Sequence, residues 1–247
     1  YTYTYSATTG VLSQLESPGG FTLAFGYDGA LLTSTTLTGP VSGRIDWTYD
    51  ANFKLKSESI NGGNTISYGY DDDGLLTNAG ALTFARDTAN GRITATTLGT
   101  VTDTVGYNTF GELSDYQASI GQLSALHTIF TRDDLGRIAR KIETIGGTTT
   151  TTEYGYDLRG RLETVKDNDV LVQTYAYDAN GNRLSLTTPT GTTNGDYDDQ
   201  DRLKTYGSKS YTYTIDGYLE QVHNALNGET TRYTYDASGN LTRVFLP

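Results

Sequence analysis

The 247-residue chain contains no cysteine and no methionine. Without cysteine it has no disulfide, no thiolate metal site and no cysteine nucleophile. Without methionine, Tyr1 is not a translation start, and the chain reads as a processed product or a piece of a longer protein. Histidine is almost absent: His127 and His223 stand alone, without the spacing of a metal pair. Neither lies near a Gly-x-Ser-x-Gly nucleophile elbow, so each reads as an ordinary surface or loop histidine. Pro18, Pro40, Pro189 and Pro247 are the only prolines, and none falls within a Tyr-x-Tyr segment. That is the pattern expected of strands whose backbone donates to a ladder. No apolar run approaches the ~20 residues of a membrane helix. No leader-like segment opens the chain, and helical periodicity is nearly missing. Positive charge is scarce, with 18 Lys and Arg against 29 Asp and Glu and a net charge of −11. The basic residues are scattered, which speaks against a nucleic-acid backbone and an anionic lipid surface.

What is present is a repeat. Its copies are anchored on Tyr5, Tyr27, Tyr49, Tyr70, Arg86, Tyr107, Arg132, Tyr156, Tyr177, Tyr197, Tyr213 and Tyr235, with spacings of 16 to 25 residues. The clearest copies read Tyr154-Gly155-Tyr156-Asp157-Leu158-Arg159-Gly160-Arg161-Leu162 and Tyr175-Ala176-Tyr177-Asp178-Ala179-Asn180-Gly181-Asn182-Arg183-Leu184. A fixed period near twenty residues marks one supersecondary unit stacked many times. Aromatics at i and i+2 share one face of a strand. An Asp after the anchor accepts a backbone N–H two residues on and closes a turn. Gly supplies a residue that tolerates positive φ, and Leu or Ile begins the return strand. Each copy therefore predicts strand, tight turn, strand, then a looser connection. The framework positions are best seen in Tyr70, Asp71, Gly74 and Leu76, in Tyr154, Tyr156, Asp157, Gly160 and Leu162, and in Tyr175, Tyr177, Asp178, Gly181 and Leu184. Tyr233, Tyr235, Asp236, Gly239 and Leu241 repeat them once more. Some copies are irregular: the first turn has one extra residue and the second one too few, and Phe53 and Asp201 stand where Gly belongs.

The pattern Tyr-Asp-x-x-Gly-Arg/Asn-Leu, preceded by another Tyr, resembles the YD-repeat, or Rhs-repeat, family over essentially the whole chain. That family includes bacterial Rhs polymorphic toxins, insecticidal toxin-complex components, wall-associated bacterial proteins and animal teneurins. The resemblance implies an all-β fold, an antiparallel β-hairpin repeat strip spiralling into an open or partial hollow shell. In known members the shell can enclose a toxic C-terminal domain. The chain lacks the Asp-Pro-containing segment that ends the Rhs core, so self-cleavage and encapsulation are not carried over. Residues 1–247 are expected to form one region of about twelve repeats belonging to a longer protein. Its expected role is that of a non-catalytic shell segment of a secreted or cell-surface bacterial protein, one that encloses, displays or connects other domains. Neither metal nor cofactor is expected. The expected partners are the rest of the polypeptide or an enclosed toxin-like domain.

Other residues offer alternatives. Asp71-Asp72-Asp73 and Asp196, Asp198, Asp199 and Asp201 are possible calcium ligands or paired carboxylates, but both groups fall at the repeat's own turn and read more simply as solvated turns. Asp178-x-Asn180-Gly181-Asn182 has its Gly misplaced for a calcium loop and Pro189 where the bidentate Glu belongs. Trp47 occupies a framework aromatic position. Tyr116, Tyr206 and Tyr218 lie off the framework and are candidate contacts for cell-surface carbohydrate. A carbohydrate-binding or adhesin module predicts that these tyrosines converge on one patch. The sequon Asn240-Leu241-Thr242 is a single match within a turn.

Overall fold

The computed structural model describes residues 1–247. It holds 24 strands and no α-helix, and hence no helix long and apolar enough to cross a membrane. The strands fall in two compact units, Tyr1–His127 and Thr128–Pro247. The first contains β1 (Thr2–Tyr5), β2 (Leu12–Glu16), β3 (Thr22–Asp28), β4 (Leu31–Thr38), β5 (Gly43–Tyr49) and β6 (Leu55–Ile60). It continues with β7 (Gly63–Tyr70), β8 (Leu76–Ala79), β9 (Leu82–Arg86), β10 (Ile93–Leu98), β11 (Val101–Tyr107) and β12 (Leu113–Ile120). β13 (Leu123–Arg132) gives residues to both units. The second unit contains β14 (Ile138–Ile145), β15 (Thr148–Tyr156), β16 (Leu162–Asp167), β17 (Val170–Tyr177), β18 (Arg183–Thr188) and β19 (Gly191–Tyr197). It ends with β20 (Leu203–Tyr206), β21 (Lys209–Tyr213), β22 (Leu219–Asn224), β23 (Thr230–Tyr235) and β24 (Leu241–Phe245).

Successive strands from β1 to β12 and from β14 to β24 pair antiparallel with their neighbours in sequence, so the units are built as meanders of successive hairpins. This is the arrangement that Tyr- and Thr-rich segments broken by Gly turns favour. Two kinds of turn alternate. One is the Asp turn after each anchor. At Asp157 the backbone N–H of Gly160 donates to the Asp157 carbonyl at 2.9 Å, and Gly160 sits at φ 81°. Phe53 and Asp201 adopt the same left-handed conformation, at φ 62° and 61°, and make the same bond. The other kind is a two-residue turn with both residues at positive φ, as at Asn61-Gly62 and Asn168-Asp169, whose twist suits the flanking strands.

One feature recurs that the residue pattern does not announce. In eleven anchor hairpins the register slips by one residue beside the anchor. In the 156 copy, Tyr156 faces Leu162 and Gly155 faces Thr164, leaving Glu163 as a β-bulge. A Cβ on Gly155 would collide with the Thr164 hydroxyl, and one on Gly69 with the Asn78 side chain. A side chain before the anchor tyrosine would make these neighbours shift, so glycine fits there with the Thr164 and Asn78 side chains as they stand.

The bulge also moves one residue off its expected place. Leu184 stands at the bulge position of its hairpin and is 40 % exposed. Arg183 takes the framework slot opposite Tyr177. Burial is thin throughout. Val165, at 7 % exposure, is the one buried hydrophobic residue, with Ser34, Thr128 and Thr152 the buried polar ones. The fully dry face that a dozen stacked hairpins suggest is absent; most framework tyrosines and leucines are half-buried. The units are held chiefly by bonds within and between hairpins.

Candidate functional site

The constellation that recurs is the joint between one hairpin and the next. Nine anchor tyrosines donate their hydroxyl to a backbone carbonyl of the preceding hairpin, 2.7–3.2 Å away. Tyr27 reaches Leu12, Tyr70 reaches Leu55, Tyr156 reaches Ile138, Tyr177 reaches Leu162 and Tyr235 reaches Leu219. In each case the acceptor is the first residue of the return strand, or the framework slot itself. Tyr197 reaches Arg183 because Arg183 fills that slot. Arg86 does the same work where the tyrosine is missing: its Nε and Nη2 donate to the Leu76 carbonyl at 3.2 and 3.1 Å. The repeat demands a donor of suitable reach at the anchor, and tyrosine is the usual one. Such a bond contributes roughly 0.5–1.5 kcal/mol net. Burial raises the pKa of the Tyr156, Tyr177 and Tyr213 phenols, which keeps them protonated as donors.

The turn supplies the second half of the joint. The Asp157 carboxylate accepts the backbone N–H groups of Arg159 and Arg161, both at 2.9 Å, and the Arg161 Nε at 2.7 Å. Asp133 with Arg137 and Asp198 with Arg202 repeat this arrangement. Asn182 and Asn240 replace the arginine beside Asp178 and Asp236. The Asp71 carboxylate accepts the Leu75 N–H at 2.8 Å. The Arg137 side chain lowers the Asp133 pKa; at Asp157 and Asp198 the largest cause is the backbone N–H of Arg161 and Arg202. These carboxylates are held as anions by their own turn, a structural role that leaves them poorly suited to accept a substrate proton.

The same arginines reach forward. Arg137, Arg161 and Arg202 lie over the Tyr156, Tyr177 and Tyr213 rings at 4.3, 4.6 and 5.1 Å. Lys54 and Arg92 lie over Tyr70 and Tyr107 at 5.1 and 5.4 Å. A cation over an exposed ring adds about 0.5–1 kcal/mol. Arg159 and Arg161 also donate to the Ala179 and Asp178 carbonyls of the following turn. Asn180 and Asn182 donate to the Asp201 carboxylate at 2.9 and 2.6 Å.

The remaining framework residues stand on the same scaffold. Gly74, Gly181 and Gly239 have φ 79°, 98° and 81°. Tyr154 faces Val165, Tyr175 faces Leu186 and Tyr233 faces Val244 across their hairpins. Leu76 and Leu241 face Tyr70 and Tyr235.

The off-framework tyrosines have separate local partners. The Tyr116 hydroxyl donates to Asp103 at 3.3 Å within the first unit. In the second, Arg183 lies 4.9 Å over the Tyr206 ring. Tyr218 stacks on Tyr235 with centroids 4.9 Å apart. Tyr218 fills, in the Tyr213 copy, the turn position that Arg161 fills in the Tyr156 copy, since its carbonyl accepts the Thr214 N–H as that of Arg161 accepts the Asp157 N–H. That substitution was readable in Gly217-Tyr218-Leu219 against Gly160-Arg161-Leu162. His127 bonds Asp115 at 2.9 Å and His223 bonds Thr230 at 2.9 Å; neither contact includes a serine. No three His, Asp or Glu side chains gather as metal ligands.

Comparison with known proteins agrees with this geometry. A family model described as Teneurin YD-shell matches residues 1–247. Teneurin-4 of Mus musculus is 28 % identical over 96 % of the chain, and Teneurin-3 of Danio rerio is likewise 28 % identical over 96 %. The chain spans about a tenth of the length of these relatives, 10 % in each case. Among solved structures, TcdB2-TccC3-TEV superposes with a TM-score of 0.65 over 98 % of this chain and 16 % of that one, at 15 % identity. TcdB2-TccC3 superposes with a TM-score of 0.58 over 99 % of this chain and 18 % of that one, at 14 % identity. These likenesses concern the fold.

Proposed function

The chain belongs to the Teneurin YD-shell family, and from that premise we propose that it is a non-catalytic shell segment that encloses, displays or connects other domains of a larger secreted or cell-surface polypeptide. One observation carries the reading: the residues that recur are spent on joining hairpins. The anchor hydroxyl, the turn carboxylate and the turn cation all bond to the neighbouring hairpin or to their own turn. The aromatics that a carbohydrate-binding surface would use are each engaged locally, at Tyr116, Tyr206 and Tyr218. The proposal attaches to no bacterial source, since the matched teneurins come from mouse and zebrafish.

The test is the polypeptide that carries these residues. Its coding sequence is expected to add further repeats beside them. A domain adjoining the strip in that polypeptide is expected to resist protease until the strip is broken, for example by Tyr177→Ala. A free-standing unit without further repeats, or an adjoining domain cleaved at the rate of the isolated domain, would overturn the proposal.

A further inference from the structure

The chain has neither cysteine nor methionine and a single tryptophan, Trp47, against 20 tyrosines. The sulfur side chains on which oxidation ordinarily falls are missing, so one-electron oxidants act on phenols. The fate of an oxidised phenol then depends on its neighbour: a phenoxyl radical held against a second tyrosine couples to it.

The repeat usually places a cation over the anchor ring. Lys54 lies over Tyr70, Arg92 over Tyr107, Arg137 over Tyr156, Arg161 over Tyr177 and Arg202 over Tyr213. A positive charge so close makes an electron harder to remove from the ring. Over Tyr235 the same place is taken by a phenol. Tyr218 stacks there, with its ring plane 25° from that of Tyr235. The Tyr235 ring is fixed, because its hydroxyl donates to the Leu219 carbonyl at 2.9 Å. The Tyr218 backbone is fixed by Thr214, whose hydroxyl oxygen accepts its N–H at 3.1 Å. The Tyr218 ring runs on across Gly239, where a Cβ would collide with the Tyr218 hydroxyl. Tyr218 is 39 % exposed, so a dissolved oxidant reaches the pair. Paired strands surround it: β21 and β22 flank the Tyr218 turn, and β22 and β24 flank the strand that carries Tyr235.

We propose that Tyr218 and Tyr235 are a site of oxidative coupling, joined as dityrosine by a peroxidase-type one-electron oxidant that draws on hydrogen peroxide. Each phenol gives up one electron and its hydroxyl proton. The two phenoxyl radicals form one carbon–carbon bond between ring positions ortho to oxygen. Each of those carbons then releases its hydrogen as a proton, each oxygen takes one up, and both phenols are restored. The pair loses two hydrogen atoms in all, and one hydrogen peroxide becomes two waters. The exposed Tyr218 ring makes the turn from stacking to bonding, since Tyr235 is held. The product ties the turn of the Tyr213 copy to β23 by a covalent bond where other copies have a cation on a ring.

The test treats the dilute chain with a haem peroxidase and hydrogen peroxide, then digests the monomer with trypsin. Tyr218 falls in the tryptic segment 210–232 and Tyr235 in 233–243. The expected product is these two segments joined, two hydrogens lighter than their sum, with fragment ions placing the bond on Tyr218 and Tyr235. Tyr211, Tyr213 and Tyr233 share those segments, so variants sharpen the assignment. Tyr218→Phe keeps the stack and Tyr218→Arg restores the cation. Both are expected to keep a β-type circular dichroism spectrum and to yield at least about tenfold less of the joined segments. Tyr233→Phe is expected to yield as much as the unmodified chain. Fragment ions that place the bond on other tyrosines overturn the proposal. So do coupling that persists in Tyr218→Phe, coupling between molecules alone, and the absence of any joined product.

Discussion

The two units build the same joint with different turns. In the second unit the anchor and its partner slot are six residues apart at Tyr156–Leu162, Tyr177–Arg183, Tyr197–Leu203, Tyr213–Leu219 and Tyr235–Leu241. In the first unit the separation is seven at Tyr5–Leu12 and Arg86–Ile93, five at Tyr27–Leu32 and six at the rest. Every one of these hairpins nevertheless keeps its bulge, and from Tyr27 onward the hydroxyl or guanidinium bond to the previous hairpin survives the change. The turn is therefore a spacer, and the joint is the conserved object. The second unit adds Asp–Arg pairs inside its turns at Asp133–Arg137, Asp157–Arg161 and Asp198–Arg202. In the first unit the Arg44–Asp46 ion pair lies within β5, outside the turns.

Removing a whole anchor should affect both units strongly and unequally. Tyr177→Ala is expected to cost about 3–4 kcal/mol and Tyr49→Ala about 3, because only Tyr177 also carries an arginine over its ring. Chemical denaturation read by hydrogen exchange within each unit measures both. Phe at the same positions should erase the inequality, at about 1 kcal/mol each; a larger gap between the two Phe variants would show that the joints are not equivalent.

Exchanging residues at the left-handed turn position should act with opposite signs. Gly160→Val places a β-branched residue at φ 81° and is expected to destabilise the second unit by about 2 kcal/mol, with exchange protection lost first near its own turn. Phe53→Gly relieves the same conformation in the first unit and should stabilise it by about 1 kcal/mol. Equal protection loss across all hairpins in Gly160→Val would argue against joint-by-joint stability.

Acid should separate the units more gently. In the second unit the pKa values of Asp133, Asp157, Asp178, Asp196, Asp198 and Asp236 are lowered, and in the first that of Asp46 is lowered by its Arg44 partner. A depressed folded value means stability that is complete above the unfolded carboxylate pKa of about 4 and lost as pH falls through the folded one. Between pH 5 and 2 the second unit should therefore lose more exchange protection than the first. The smallest effect is expected from Arg161→Lys, under about 1 kcal/mol, because a lysine keeps the charge but cannot bridge Asp157, the Tyr177 ring and the Asp178 carbonyl together. Thermal unfolding of the two proteins side by side measures it.

Much of this was legible in the residues. Tyr-x-Tyr-Asp with Gly and Leu at fixed offsets announces strand, turn and return strand, and the Asx turn at Asp157 forms as its chemistry requires. The bulge was not legible, because the residues that occupy it, Glu163, Leu184, Lys204 and Thr242, share no chemistry. The leucine of the pattern therefore points to Leu184, although Arg183 fills the slot opposite Tyr177. The target of the anchor hydroxyl was hidden for another reason: the acceptor is a backbone carbonyl, which leaves no mark on side-chain identity. The role of Arg86 follows only once that acceptor is known. Tyr218 looked unattached because its slot normally holds a cation, although its ring covers Tyr235 as an arginine would.

The constant register has a genetic corollary. If a recombination event deletes or duplicates one hairpin, the new neighbours still offer a phenol to a carbonyl, with matching residues opposite. No compensating mutation is needed at the seam. Gene families built on this joint can lengthen or shorten by unequal crossing-over, and their copy number should drift faster than the residues that form it.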